Sequence, residues 1–214
     1  MKILLYALCA VIGYLLGNFS SGLIIARRMG NIDIRDYGSG NAGTTNVLRT
    51  LGWLPSVLTL LGDALKGVLA ALIGKWIGGE AGMLVGGLFA VVGHNWPALF
   101  HFRGGKGMAT TLGVVIVAHH AWALALFLPW LAIVVLTRYV SVASIAMCVI
   151  YPIITAILYH GKPLGWLHIL VFALIGLMGI FGHRANIQRL LKGEENRLDF
   201  KKITEISRKS RHGK

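Results

Sequence analysis

Long apolar runs separated by short polar segments dominate the pattern of residues along the chain. The first run, 3–26, contains Asn18, Ser20 and Ser21 but is about as long as a full bilayer span. We therefore expect a retained membrane helix here and not a cleaved signal peptide, whose apolar core is shorter. Four further apolar runs are each predicted to form one span, and they cover residues 53–74, 81–100, 142–159 and 166–181.

The apolar stretch 108–137 is too long for one upright span and short for two. A single helix of this length would extend roughly 45 Å, whereas the hydrocarbon core is about 30 Å thick. Two helices that turn near His119 and His120 give seven spans, with seventeen Lys and Arg on one side and three on the other. A single helix gives seven against thirteen; Lys66, inside a span, is left out of both counts. Because cytoplasmic loops carry an excess of Lys and Arg, the seven-span arrangement is favoured.

These patterns predict an all-α integral membrane protein with about seven transmembrane helices, the N-terminus outside and the C-terminus in the cytoplasm. Residues 1–196 are expected to form a single polytopic membrane domain, and residues 197–214 a basic cytoplasmic tail to which we assign no function. In this topology the three polar, glycine-rich segments all lie on the cytoplasmic face. Chemistry is therefore expected at the inner leaflet.

Composition supports the same class of protein. Of the 214 residues 56% are hydrophobic and only 14% are charged, whereas a soluble domain carries about 25% charged residues. This excludes a soluble globule, and the high hydrophobicity excludes a disordered chain. The net charge of +13 indicates cytoplasmic loops and anionic head groups in preference to a nucleic-acid partner. Cys9 and Cys148 lie in apolar runs, which is typical of small buried hydrophobes and not of a disulfide or a metal site.

The first polar segment, 38–49, has the sequence GSGNAGTTNVLR. It contains G-x-G-x-x-G, but a dinucleotide site also needs a preceding strand, so we reject that interpretation. Its glycines let backbone N–H groups approach an anion, and a helix beginning near Thr44 or Thr45 would present its N-terminus to a phosphate. Arg49, one turn further on, can bind a phosphate with two N–H groups. A loop that merely caps helices is the less favoured alternative. The other short polar donors of the segment are Ser39, Asn41 and Asn46.

The second polar segment, 103–111, has the sequence RGGKGMATT. Lys106 stands among three glycines at the start of a predicted helix, an arrangement suited to phosphate. The spacing is not that of a nucleotide-binding P-loop. Taken alone, the segment fits a phosphate ligand and a positive-inside anchor equally well.

The third polar segment, 183–196, places His183 and Asn186 on one face of a predicted helix. A histidine just beyond a span can be a base, a phosphate donor or an interfacial residue, and the last is favoured when the segment is taken alone. Glu195 either orients a basic side chain near the site or is solvated.

Asp63 and Lys66 lie three residues apart inside the second predicted span. Charges within a membrane are costly and therefore usually pair, so a structural ion pair is at least as favoured as a catalytic role. The chain has only eight Asp and Glu and no paired carboxylates. We predict neither a metal site nor a serine-histidine-aspartate triad, and the H-x-x-x-x-D signature of the soluble type of glycerolipid acyltransferase is absent.

Together these segments, in this order on a small multi-span protein, resemble the bacterial acyl-phosphate:glycerol-3-phosphate acyltransferase (PlsY) family. DALKG at 63–67 also matches that family's pattern, and the resemblance extends from the first span to about Asn196. It implies transfer of an acyl group from acyl phosphate to the primary hydroxyl of glycerol 3-phosphate, giving lysophosphatidic acid and phosphate. It also implies a bacterial inner-membrane location with the active site on the cytoplasmic face, and we expect no cofactor.

The resemblance implies functional roles at the positions that match the family's motifs. These positions are Ser39, Asn46 and Arg49 in the first segment, the glycines and Lys106 in the second, and His183, Asn186 and Glu195 in the third. We assign catalysis to Ser39, Arg49, Lys106, His183 and Asn186. We assign substrate or phosphate binding to Gly40, Asn41, Thr44, Thr45, Asn46, Gly104, Gly105, Gly107 and Glu195.

The chemistry of the residues agrees with such a reaction. An acyl phosphate is a mixed anhydride with a good leaving group, so it needs alignment and charge stabilisation more than a strong nucleophile. Arg49 and Lys106 can hold the leaving phosphate, and Ser39 and Asn186 can orient the glycerol end. The hydroxyl proton can pass to His183 or to an oxygen of the acyl phosphate, and the sequence leaves both open. The rival classes are a small transporter and a membrane phosphatase.

Overall fold

The computed structural model describes residues 1–212, with side chains through residue 208, and all regular elements in that part are helical. The α-helices are α1 (Lys2–Gly17), α2 (Ser21–Gly30), α3 (Thr44–Leu51), α4 (Trp53–Asn95), α5 (Met108–Ala118), α6 (His120–Thr137), α7 (Val140–Tyr159), α8 (Gly165–Gly182), α9 (Arg184–Leu191) and α10 (Phe200–His212). Two short 3-10 turns lie at Ile34–Asp36 and Ala98–Phe100.

Five segments of the described chain are long and apolar enough to cross a membrane: Lys2–Gly30, Trp53–Phe100, His120–Thr137, Val140–Tyr159 and Gly165–Gly182. Many of their large apolar side chains point outward, as a lipid environment permits. The expected all-α membrane architecture is therefore confirmed. The count of seven spans and the orientation of the termini stay predictions.

The predicted break in the stretch 108–137 is present. Helix α5 ends at Ala118 and α6 begins at His120, because His119 between them has non-helical backbone angles (φ −144°, ψ 54°). The first apolar run also contains a break. Asn18 ends α1, where its amide donates to the Tyr14 carbonyl at 2.7 Å and its side-chain oxygen accepts from the Leu99 amide at 3.3 Å.

Helix α4 reverses direction at Gly78 and Gly79, whose backbone angles are not helical. Gly79 has φ 65°, a conformation that favours glycine. The two halves then pack backbone to backbone, since a Cβ added to Gly74 would lie 2.2 Å from the Gly82 carbonyl oxygen. The reversal separates the runs 53–74 and 81–100, which the hydrophobic pattern already distinguishes.

Small residues hold the central helices close together. A Cβ on Gly13 of α1 would lie 2.2 Å from the Gly86 oxygen of α4, and a Cβ on Gly113 of α5 would lie 2.0 Å from the Ala64 oxygen. Such close approach of backbones is how helices associate where lipid removes the hydrophobic driving force. The consequence is a rigid α1–α4–α5 group on which the polar segments are mounted.

The chain beyond residue 196 packs against helix α3. Leu198 and Ile203 are buried in a cluster with Leu48, and the Leu198 amide donates to the Arg138 carbonyl at 2.9 Å. In addition, the Ser207 hydroxyl accepts from the backbone N–H at the start of α4 at 3.0 Å. This part of the predicted tail therefore supports α3 directly, while the position of the domain boundary stays a prediction.

Candidate active site

Asn46 organises the first glycine-rich segment. Its side-chain oxygen accepts from the Ser39 N–H at 2.9 Å, and its amide nitrogen donates to the carbonyls of Ile34, Tyr37 and Asn41 at 2.9–3.0 Å. Gly38 must be glycine because it has φ 58° and a Cβ there would lie 2.2 Å from the Asn46 oxygen. Asn46 thus fixes the loop that presents Ser39.

Arg49 lies on α3, which begins at Thr44 as expected. Its Nη2 donates to the Asn196 carbonyl at 2.9 Å, which ties the first and third polar segments together. Its Nε is buried and has no hydrogen-bond partner in the described part of the chain. Burial also lowers the pKa of Arg49. A guanidinium with one buried and unpaired N–H is suited to receive an anionic ligand.

The second glycine-rich segment rests on the end of α4. The Gly105 N–H donates to the His94 carbonyl at 3.1 Å. A Cβ on Gly104 would lie 2.0 Å from that carbonyl oxygen, and a Cβ on Gly105 would lie 2.1 Å from the His94 ring nitrogen Nε2. Both positions therefore require glycine. This contact sets where Lys106 stands, and burial lowers the pKa of Lys106 to about 8.

The third segment brings a histidine and an amide beside Lys106. His183, at the α8–α9 junction, donates from Nδ1 to the Gly179 carbonyl at 2.7 Å, so Nε2 carries the lone pair. Burial, and then the positive charge of Lys106, lower the pKa of His183 to about 4. The imidazole is therefore neutral at pH 7. Asn186 accepts a hydrogen bond from Lys106 Nζ.

Glu195 is the hub of the third segment. One carboxylate oxygen accepts from the Asn186 amide at 2.7 Å and the Ser141 hydroxyl at 3.1 Å, and the other accepts from Arg189 Nε at 2.9 Å. Glu195 is 7% exposed. It therefore orients Asn186 and a basic side chain, and the alternative of a solvated carboxylate is wrong.

Asp63 and Lys66 form the expected buried ion pair, with Nζ 2.9 Å from the carboxylate. Lys66 Nζ also donates to the Phe19 carbonyl at 2.6 Å and to His94 Nδ1 at 2.8 Å. Because an ammonium only donates, the neutral His94 ring carries its hydrogen on Nε2, the nitrogen that faces Gly105. Sequence reasoning did not single out His94, since one histidine in an apolar run carries no signal of its own.

Two cavities meet at this site. The larger, about 360 Å³, extends from the polar segments into the apolar region between α5, α6, α7 and α8. The smaller, about 320 Å³, is lined by polar and basic groups that include Arg103, Arg184 and Arg189. Both cavities are lined by Ser39, Asn41, Lys106 and Asn186.

The structure brings all fourteen predicted site residues together at these cavities. The larger is lined by Thr44, Thr45, Asn46, Arg49, Gly107, His183 and Glu195, and the smaller by Gly40, Gly104 and Gly105, in addition to the four shared residues. Their individual roles stay predictions. Asp63, His94 and Ser141 also line the larger cavity and were not among the predicted site residues.

Comparison with known proteins places this arrangement in a family. A family model described as glycerol-3-phosphate acyltransferase matches residues 7–193. The chain belongs to this family. It is 44% identical over 200 residues to the glycerol-3-phosphate acyltransferase of Thermoanaerobacter sp. (strain X514), covering 93% of this chain and 98% of the relative. It is 42% identical to the glycerol-3-phosphate acyltransferase of Clostridioides difficile (strain 630), covering 94% of this chain and 100% of the relative.

Solved structures agree with this assignment. The chain resembles the crystal structure of PlsY (YgiH), an integral membrane glycerol 3-phosphate acyltransferase, in its glycerol 3-phosphate form, with a TM-score of 0.84 and 39% identity. The match covers 93% of this chain and 98% of that one. The lysophosphatidic acid form of PlsY gives a TM-score of 0.81. This protein is accordingly a multi-pass membrane protein of the PlsY family.

The lowered pKa of Lys106 predicts how phosphate binding depends on pH. In the free protein Lys106 loses its ammonium proton at about pH 8. A bound phosphate dianion stabilises the ammonium and so keeps Lys106 protonated to higher pH. Affinity should therefore be highest below pH 8 and fall by up to about tenfold per pH unit above it. The measurement is the rise in apparent Tm with inorganic phosphate at about pH 7 and about pH 9. Lys106→Ala should abolish the difference and Lys75→Ala should retain it; equal shifts at both pH values in the unmodified protein would contradict the prediction.

Proposed function

We propose that this protein transfers a fatty acyl group from an acyl phosphate to the primary hydroxyl of glycerol 3-phosphate. The products are lysophosphatidic acid and inorganic phosphate, as in the first acylation step of phospholipid biosynthesis. The observation that carries the proposal is the shared wall of the two cavities. A long apolar space and a short basic space meet at Ser39, Asn41, Lys106 and Asn186.

The apolar cavity suits the acyl chain of the donor. Side chains such as Leu112, Leu126 and Ile175 line it, so the chain would be buried by the hydrophobic effect. At its polar end, Arg49 Nε and Lys106 Nζ lie among the lining residues. A donor in this position would place its phosphate at the two cations and its acyl carbon at the shared wall.

The basic cavity suits glycerol 3-phosphate. Arg103, Arg184 and Arg189 line it and supply positive charge for a phosphate dianion, and Gly104 and Gly105 let the backbone form part of its wall. The glycerol hydroxyl would then face the acyl carbon at the shared wall. We infer that Ser39 and Asn186 orient that hydroxyl.

The reaction we infer is direct. The hydroxyl oxygen forms a bond to the acyl carbon, the bond from that carbon to the phosphate oxygen breaks, and the electron pair leaves with the phosphate. The pKa of His183, lowered to about 4, makes it a weak base, whereas the departing phosphate has a second pKa of about 6. The phosphate oxygen is therefore the favoured acceptor of the hydroxyl proton, and we assign His183 Nε2 the role of a hydrogen-bond acceptor.

The assay of this function uses purified protein in lipid vesicles with palmitoyl phosphate and glycerol 3-phosphate. We expect lysophosphatidic acid and phosphate in equal amounts. Arg49→Lys and Lys106→Ala should each lower kcat/KM by roughly tenfold or more, because a charge-assisted contact contributes about 1.5–3 kcal/mol. Lys75→Ala, at the opposite end of the bundle, is the matched control. Phosphate release without lysophosphatidic acid would instead establish a phosphatase. If neither product forms, the remaining class is a transporter.

A direct mechanism predicts that both substrates are bound at once. Initial rates should therefore give intersecting double-reciprocal lines. Parallel lines would indicate an acyl-enzyme, as would a stoichiometric acyl mass on the Ser39 peptide after incubation with acyl phosphate alone. We expect no such adduct, since Cys9 lines neither cavity and Cys148 lines only the apolar one. A nucleophilic serine also needs a base within hydrogen-bonding reach, and the Ser39 hydroxyl has no such hydrogen bond in the described residues.

We further propose that residues 1–196 act as one acyltransferase unit in the bacterial inner membrane, with seven spans and the site on the cytoplasmic face. The excess of Lys and Arg in the polar segments supports this orientation. Because Cys9 and Cys148 are buried, single cysteines at exposed positions report sidedness. Gly161→Cys should react with an impermeant maleimide added outside spheroplasts, and Lys192→Cys only after permeabilisation. The reverse result would overturn the orientation.

A further inference from the structure

Four polar side chains form a chain of hydrogen bonds that reaches from Glu80 to Tyr151. His168 Nε2 lies 2.7 Å from the Glu80 carboxylate, His168 Nδ1 lies 2.9 Å from His119 Nε2, and His119 Nδ1 is hydrogen bonded to the Tyr151 hydroxyl. A carboxylate only accepts, so the contact with Glu80 requires a hydrogen on His168 Nε2. Both ring nitrogens of His168 and both of His119 have a hydrogen-bond partner in this chain. The Glu80 carboxylate thus anchors one end of the chain and the Tyr151 hydroxyl the other.

Aromatic packing holds the same group in place. The His119 ring stacks on His168 with centroids 4.9 Å apart, and Tyr151 meets Phe172 edge to face at 4.9 Å. Tyr159 stacks on His168 at 4.2 Å. His168 is 1% exposed and Phe172 is fully buried, whereas the Glu80 side chain is 47% exposed. The chain of hydrogen bonds therefore runs from the protein surface at Glu80 to Tyr151 in the interior.

Tyr151 and Phe172 lie where the apolar cavity ends. Both line it, whereas His119 and His168 behind them do not. On α7, Ser141 lines the polar end of the cavity and Tyr151 the far end, ten residues along the helix. At 1.5 Å per residue the two levels are roughly 15 Å apart. Tyr151 and the next residue, Pro152, are the last residues of α7 that line the cavity, so the Tyr151 ring, with its hydroxyl hydrogen bonded to His119, forms part of the cavity end furthest from Ser141.

We propose that Tyr151, held by His119, His168 and Glu80, is the floor of the acyl-chain cavity and sets the longest acyl chain that the enzyme accepts. This inference rests on the proposed function, because it requires an acyl chain in that cavity. Tyr151 is the specificity-determining residue in this account, and the other three are positioning residues.

The anchor explains why polar groups stand at this place. A leucine or phenylalanine floor could change rotamer and admit a longer chain at little cost. For Tyr151, a similar movement would leave a buried hydroxyl and the His119 ring without their hydrogen-bond partners, which disfavours it. A polar anchor behind an apolar wall therefore gives a sharper limit on length than packing alone.

The experiment measures chain-length preference by competition. Wild-type protein in vesicles receives an equimolar series of acyl phosphates that differ by two carbons, with glycerol 3-phosphate, and the products are quantified by mass spectrometry. Tyr151→Ala should raise the ratio of the next longer product to the wild-type optimum by about tenfold or more, since one methylene in a fitted pocket is worth about 10–200-fold. Tyr151→Phe, which keeps the ring and loses the anchor, should raise the same ratio by less.

A matched control and a variant of opposite sign accompany these substitutions. Ile150→Ala removes a similar apolar volume from the neighbouring position on α7, which is 38% exposed and does not line the cavity. It should keep the wild-type profile. Ala123→Leu adds volume to the cavity wall one turn after His119 and should shift preference toward shorter chains. This variant keeps the test valid if Tyr151→Ala does not fold.

The outcomes separate the two proposals. If the wild-type protein transfers no acyl group from any donor, the proposed function fails. If it transfers acyl groups but Tyr151→Ala and Ala123→Leu both retain the wild-type chain-length profile, the proposal that Tyr151 sets the longest chain is refuted. The proposed function is then unaffected. If Tyr151→Phe keeps the wild-type chain-length profile while Tyr151→Ala shifts it, the ring alone sets the limit. That result would contradict the positioning role of His119, His168 and Glu80.

Discussion

The buried ammonium of Lys66 is the constraint on which the rest of the structure depends. A charge inside an apolar bundle is tolerated only where acceptors surround it, and here they come from three parts of the chain: the Phe19 carbonyl, the Asp63 carboxylate and His94 Nδ1. Phe19 lies in the break between α1 and α2, Asp63 on the first half of α4 and His94 on the second. Satisfying this one ammonium therefore joins the helix break, the α4 hairpin and, through the contact of His94 with Gly105, the glycine-rich segment that carries Lys106.

The polar residues of the site divide into those that build it and those left available for a ligand. The side chains of Asn46 and Glu195 form their hydrogen bonds within the protein, each with at least three groups. Arg49 Nε has no partner among the described residues, and His183 Nε2 keeps a free lone pair. Groups fixed beforehand by neighbours are what electrostatic stabilisation of a reaction requires, because they need no reorganisation when charge develops.

Sequence patterns predicted the parts whose signals are local. Hydrophobic runs predicted the apolar helices, the placement of Lys and Arg favoured the break found at His119, and glycine around short polar residues predicted the candidate site. Contacts between distant segments had no such signal. His94 is a single histidine in an apolar run, and its role depends on Lys66, 28 residues away. Likewise, residues after Asn196 form only a basic tail in the sequence, but Leu198 and Ile203 pack beneath the helix that carries Arg49.

The apolar cavity lies between two polar systems with different tasks. At one end, Lys106 stands among glycines and Arg49 Nε has no partner among the described residues, an arrangement suited to an anionic ligand that binds and leaves. At the other end, the Tyr151 hydroxyl already has its partner in His119, and the rings of Tyr151 and Phe172 line the cavity. Between them, α6 is the least buried of the candidate spans, with 11% of its apolar window buried. Helix α6 therefore combines a face that lines the cavity with the most exposed apolar surface among the candidate spans.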